Sequence, residues 1–234
     1  MMISKAHIPN SITLLNLFCG CIALVFVAEK QFEMGFLFVA FGIFFDFFDG
    51  FFARKFNVSG PLGVQLDSLA DMVTSGVVPG FVMYQMLQQN AIFHCQYVPY
   101  LGFIITLGAC YRLANFNIDT RQSDSFIGLP TPANTLFILS LPLLHLGVEL
   151  PEWFVFATNF WVLLGFTFLS AIVMNAEIPL FSLKIKNFSF QKYALQLVFL
   201  VIAVLLLLFL KFLGLALVIL LYVVLSIVSN LSKK

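Results

Sequence analysis

The 234 residues are 61% hydrophobic and only 10% charged, with a mean hydropathy of +1.02 and 30 Phe. Soluble domains carry about 45–50% apolar and about 25% charged residues, so this composition excludes a soluble globular chain and describes a membrane protein. The net charge of +1 gives no reason to expect a nucleic-acid partner.

Apolar stretches occur near residues 12–28, 33–53, 66–88, 97–116, 130–147, 153–174, 193–210 and 213–230. Each approaches the roughly 20 residues that a helical span requires. They predict an all-α, polytopic transmembrane bundle of about eight spans, forming a single domain over residues 1–234. The first run, Ser11 to Ala28, has one Lys before it and no small-residue cleavage pattern after it. It therefore reads as a retained span rather than a signal peptide. Only Lys211 and the stretch from Phe212 to Gly214 separate the last two runs, so one long bent helix is the alternative there. Cys19, Cys21, Cys95 and Cys110 mostly fall within apolar runs and form no CxxC pair, which reads as small buried hydrophobes rather than a zinc site.

Basic residues alternate between loops. Lys5, Arg54 with Lys55, Arg112 with Arg121, Lys184 with Lys186 and Lys192, and Lys233 with Lys234 mark one side. Lys30 beside Glu29 and Glu33, the His94 region, the Glu149–Glu152 loop and the lone Lys211 mark the other. The positive-inside rule then puts both termini in the cytoplasm and favours an even number of spans. The lysines between Asn175 and Lys192 read as a solvated face near anionic membrane lipid.

Residues 44–73 carry the informative pattern, with four acids at the end of one apolar helix and the start of the next. One Asp in mid-membrane costs about 2.5–3.5 kcal/mol on insertion scales, so several together imply a function or a wet helix end. Asp46 and Asp49 are three residues apart and Asp67 and Asp71 four apart, so each pair projects from one helical face. Asn57, Gly60 and Pro61 between the pairs signal a turn that brings the two helices back together. Four converging carboxylates require cations, and hard oxygen ligands suit Mg²⁺, Mn²⁺ or Ca²⁺, with two ions shared among four acids. Two-metal centres serve in-line displacement at phosphorus. Gly50 and Ala53 share the face of Asp46 and Asp49, and Gly63 precedes Asp67 by one turn. Small residues there admit a diphosphate and a base between the helices, with Arg54 placed to pair with phosphate oxygens. Two other readings of the acids are an interfacial salt-bridge cluster with Arg54 and Lys55, and a divalent-cation path through a transporter.

The spacing Asp46-x2-Asp49-Gly50-x2-Ala53-Arg54-x8-Gly63-x3-Asp67-x3-Asp71 resembles the full signature of the CDP-alcohol phosphotransferases, with eight fixed residues over 26 positions. The resemblance implies a helical membrane enzyme, usually dimeric, with a two-metal Mg²⁺ or Mn²⁺ site facing the cytoplasm. It implies that the first three acids chiefly bind metal, that Asp71 is the general base while also near the second metal, and that CMP leaves. Two further regions are similar to the membrane-embedded bacterial phosphatidylserine synthases: His7 to Gly20, with Asn10, Thr13, Asn16 and Cys19, and Phe126 to Ala133. That likeness implies CDP-diacylglycerol as donor, L-serine as acceptor and a bacterial-type inner membrane, with glycerol 3-phosphate, inositol or an inositol phosphate as alternative acceptors. Where that subfamily commonly has a second basic residue, this chain has Asn115.

The residues themselves say less about these regions. Pro9 and Asn10 read as helix-start punctuation, and Asn10, Thr13 and Asn16 recur at three-residue intervals, either as caps and packing or as contacts to cytidine or diphosphate. Arg112 is either a helix-end residue reaching the interface or a bidentate partner for an acceptor carboxylate. Gly128 to Pro132 predicts a rigid turn into the fifth span. His7, His94 and His145 lie too far apart for a metal trio. Trp153 fits an interfacial belt, and Trp161 is expected to pack in mid-span.

Overall fold

The computed structural model describes residues 7–58, 60–90, 96–119, 127–146, 158–180 and 194–231. Lys5, His94, Cys95, Arg121, Phe126, the loop from Glu149 to Trp153, Lys184, Lys186, Lys192, Lys233 and Lys234 lie outside the described residues. Helices run α1 (His7–Ala28), α2 (Phe32–Phe56), α3 (Pro61–Asp71), a π-helical turn (Met72–Val77), α4 (Val78–Gln89), a 3₁₀ turn (Val98–Phe103) into α5 (Ile104–Phe116), α6 (Thr131–Ser140) into a 3₁₀ turn (Leu141–Leu143), α7 (Phe160–Asn175) and α8 (Ala194–Leu231). The described chain is all-α, its single β-type contact being an isolated bridge between Ile127 and Pro179.

Helices α1, α2 and the Gln196–Leu231 part of α8 are each long and apolar enough to cross a membrane, and α7 is a shorter apolar helix. Outward faces are rich in Leu, Val and Phe, as for Phe18, Phe47 and Phe209, because their surroundings are lipid rather than water. Within α8, Lys211 leaves the helical conformation at φ 48°, ψ −118°. Phe199 then meets Tyr222 with ring centroids 5.7 Å apart, whereas 23 residues of straight helix would span about 35 Å. The segment is therefore an antiparallel hairpin with a tight turn at Lys211, which decides between the two readings of the last apolar runs.

The first two reversals share a device. After α1, Gln31 N–H reaches Phe26 O (2.9 Å) and Lys30 N–H reaches Val27 O (3.0 Å), with Lys30 left-handed. After α2, Val58 N–H reaches Ala53 O (3.1 Å) and Asn57 N–H reaches Arg54 O (3.2 Å), with Asn57 left-handed. Both are Schellman closures, which satisfy the last carbonyls and turn the chain sharply. Pro61 then occupies the first turn of α3, where its fixed φ and missing N–H cost nothing. As a result the chain doubles back after α2, and α1 packs against both α2 and α3.

Two packing expectations are corrected. Cys19 is buried, but Cys21 and Cys110 face outward. Trp161 is 58% exposed, because α7 begins at Phe160 and puts this residue in its first turn rather than in mid-span.

Candidate metal and substrate site

Asp46, Asp49 and Asp67 each offer an oxygen, and the three atoms lie within 4.8 Å of one another. Carboxylates this close repel one another unless a cation or a proton lies between them. Asp49 is 5% exposed, and Thr13 on α1 donates its hydroxyl to Asp49 Oδ2 at 2.5 Å. Three hard oxygen donors from two facing helices, one of them oriented by a neighbouring hydroxyl, fit a divalent ion such as Mg²⁺. Of the two cations in the salt-bridge alternative, Lys55 has its Nζ over the Phe51 ring, 5.8 Å from its centroid, whereas Arg54 lies along Gly50 and its charge acts on Asp49.

A cleft opens beside these acids. Pro9, Asn10 and Thr13 form its α1 wall; Asp49, Gly50, Ala53 and Arg54 form its α2 wall; Gly60, Gly63, Val64 and Asp67 form its α3 wall. A methyl group on Gly50 would stand 3.4 Å from Arg54 Nη1, so the glycine lets the guanidinium lie close along the helix. Asn10, Thr13, Gly50, Ala53, Arg54 and Gly63 are thus brought together with two of the acids.

Asp71 and Asn16 lie outside that cleft. Asp71, one turn beyond Asp67, is 9% exposed and accepts a hydrogen bond from Asn16 Nδ2 at 3.0 Å. Asn16 is fully buried and also accepts from Thr74 Oγ1 at 2.8 Å. Arg112 on α5 is only 7% exposed, and its charge acts favourably on the Asp71 carboxylate. Its Nη2 donates to Gly128 O at 3.5 Å, and its Nε has no hydrogen-bond partner among the described residues. Gly128 is held there by Ile178 O, which accepts its N–H at 2.9 Å, and adopts φ 74°, where a side chain would strike Met174 O. Only glycine fits at such a left-handed, crowded position.

Thr74 escaped the sequence reading, as did a buried polar pair in which Ser170 Oγ donates to Asn134 Oδ1 at 2.6 Å. A signal for Thr74 was present: with Ser75 it is one of two adjacent hydroxyl residues one turn after Asp71, at the start of an apolar run.

The model of the CDP-alcohol phosphatidyltransferase family matches residues 6–173, most of the chain and every site residue above. The chain belongs to the CDP-alcohol phosphatidyltransferase family. Several curated relatives share one name. A CDP-diacylglycerol–serine O-phosphatidyltransferase of Bacillus subtilis is 37% identical over 130 residues, covering 54% of this chain and 70% of that protein. The Helicobacter pylori protein of the same name is 31% identical over 208 residues, 87% of this chain and 81% of its own length. The Saccharomyces cerevisiae one is 31% identical over 156 residues, 60% and 55%. This phosphatidyltransferase-family chain thus carries its acidic cluster, its cleft and Arg112 within the part that the family shares.

Proposed function

We propose that this chain transfers the phosphatidyl group of CDP-diacylglycerol to the hydroxyl of L-serine, releasing CMP and phosphatidylserine. The observation that carries the reading is the group of three carboxylates beside a cleft of small residues, with Asp71 one turn beyond Asp67 and buried, as Arg112 is. The names of the relatives support serine as the acceptor.

Asp46, Asp49 and Asp67 would hold Mg²⁺ or Mn²⁺, two ions being expected, with Asp71 near the second. Bound there, divalent ions neutralise the diphosphate and stabilise the charge that develops on it. Arg54, at the cleft mouth, pairs with phosphate oxygens, and Gly50, Ala53 and Gly63 leave room for the nucleotide beside Asn10 and Thr13. Asn16 acts deeper, on Asp71, rather than on the nucleotide. Asp71 accepts the proton of the serine hydroxyl, whose oxygen bonds to the phosphorus carrying diacylglycerol. The bond from that phosphorus to the oxygen of CMP breaks, and CMP leaves with the electron pair. Arg112 receives the serine carboxylate: its unpartnered Nε leaves a guanidinium edge to satisfy, and a carboxylate does so.

The chain crosses a bacterial-type inner membrane about eight times, with both termini and the cleft on the cytoplasmic side, and works as a homodimer surrounded by membrane lipid. The loop distribution of Lys and Arg supports the orientation, and the hairpin at Lys211 supports two spans at the C-terminus.

CMP release by the purified protein in detergent tests this, with CDP-diacylglycerol, Mn²⁺ and, in turn, L-serine, glycerol 3-phosphate or inositol. Serine-dependent release that falls by about 10²-fold or more in Asp71→Asn is the expected result, the scale of a lost general base. Release with another alcohol alone would keep the chemistry and overturn serine. Metal flux into vesicles without CMP release would favour a transporter.

A further inference from the structure

Thr74 belongs to no motif described above, yet it is wholly buried where the π-helical turn meets α1. Its Oγ1 donates to Asn16 Oδ1 at 2.8 Å, with the Asn16 backbone carbonyl a longer alternative at 3.2 Å. Asn16, itself 0% exposed, turns its Nδ2 to Asp71 Oδ1 at 3.0 Å. The two ends of an asparagine amide are alike in size and opposite in hydrogen-bonding sense. A hydroxyl donating to the oxygen end therefore fixes the N–H end toward the carboxylate.

The surrounding helices press this arrangement into place. A methyl group on Gly42 of α2 would come within 2.7 Å of the Thr74 methyl and 2.9 Å of Asn16 Oδ1. One on Gly20 of α1 would come within 2.5 Å of Thr74 Oγ1. Two glycines thus allow three helical segments to close around two side chains, leaving them no alternative rotamer space. The π-helical turn, a rare form often found at functional sites, begins immediately after Asp71 and carries Thr74.

We propose that Thr74 is a positioning residue: through Asn16 it holds one oxygen of Asp71 in place and leaves the other free for the acceptor hydroxyl. The inference rests on the role given to Asp71 above. It assigns to Thr74 no contact with substrate. What it supplies is orientation, so its loss falls on turnover rather than on donor binding.

The test compares the parent protein with Thr74→Val and Thr74→Ser in detergent, measuring kcat and KM for CDP-diacylglycerol by CMP release, and CDP binding by calorimetry. Thr74→Val is expected to lower kcat by about tenfold, the scale of one buried hydrogen bond left unmade, with KM and CDP affinity unchanged. Thr74→Ser, which keeps the hydroxyl, restores kcat. Thr74→Ala, which adds no bulk, replaces the valine variant if that protein does not accumulate, with the same expectation. Three results overturn the inference: an undiminished kcat without the hydroxyl, a serine variant as slow as the valine one, or a loss shared by CDP binding. A parent protein that binds CDP but releases no CMP with any alcohol defeats the proposed reaction and this inference with it. A fast parent and an equally fast Thr74→Val defeat the inference alone.

Discussion

Thr13 and Arg112 show how single side chains divide the work of the site. Thr13 Oγ1 holds Asp49 at 2.5 Å, and partners that orient a metal ligand typically carry about 10–100-fold in affinity. Thr13→Val is therefore expected to raise the Mn²⁺ concentration for half-maximal binding by about tenfold, read by electron paramagnetic resonance without any substrate present. Arg112 carries the opposite signature. Arg112→Lys replaces a planar fork by a point charge and is expected to raise KM for serine by about tenfold or more, leaving CDP binding intact. The spacing of Asp46, Asp49 and Asp67 already implied their convergence, because residues three and four apart share a helical face and the turn at Asn57 closes the hairpin. The different fates of Asn10, Thr13 and Asn16 were not legible. Each step of three residues rises about 4.5 Å and rotates the face by about 60°, so Asn16 falls below the cleft while Asn10 and Thr13 line it. The partner of Arg112 was hidden for another reason: Gly128 O reaches it only because the segment after α7 fastens Gly128 in place.

Among the elements, helix starts and stops were easier to read than their internal irregularities. Asn57 and Pro61 announced the α2–α3 reversal through local chemistry. The π-helical turn at Met72–Val77 left only a subtler mark in Pro79, which has no N–H to donate to the Ser75 carbonyl four residues back, where the Thr135 hydroxyl lies at 3.0 Å instead. The division of α8 was undecidable from hydropathy, since Leu and Val fill both arms alike and one Lys is a weak interruption. The backbone at Lys211 resolves it at a recorded cost, for φ 48° with ψ −118° is a conformation that suits glycine. Lys211→Gly is accordingly expected to stabilise the protein by about 0.5–1 kcal/mol, raising the thermal midpoint in detergent by about 1–4 °C. A lowered midpoint would mean that the lysine side chain contributes more at the turn than its backbone gives up.

At the scale of the molecule, orientation and order of assembly follow from where the reversals fall. In a cysteine-free background, single cysteines replacing Lys30 or Lys211 are expected to react with a membrane-impermeant thiol reagent added outside intact cells. One replacing Asn57 is expected to react only after the membrane is opened; external labelling at Asn57 would invert the topology and move the cleft to the other face. All the walls of the cleft come from residues between Pro9 and Asp67, while Arg112, Gly128 and the hairpin of α8 come later in the chain. The cleft is thus built by sequence neighbours, with little loop-closure entropy to overcome. On the roles proposed above, a ribosome that has delivered α1 to α3 has already made the compartment for the nucleotide, and Arg112, proposed to meet the acceptor, is added to a finished half.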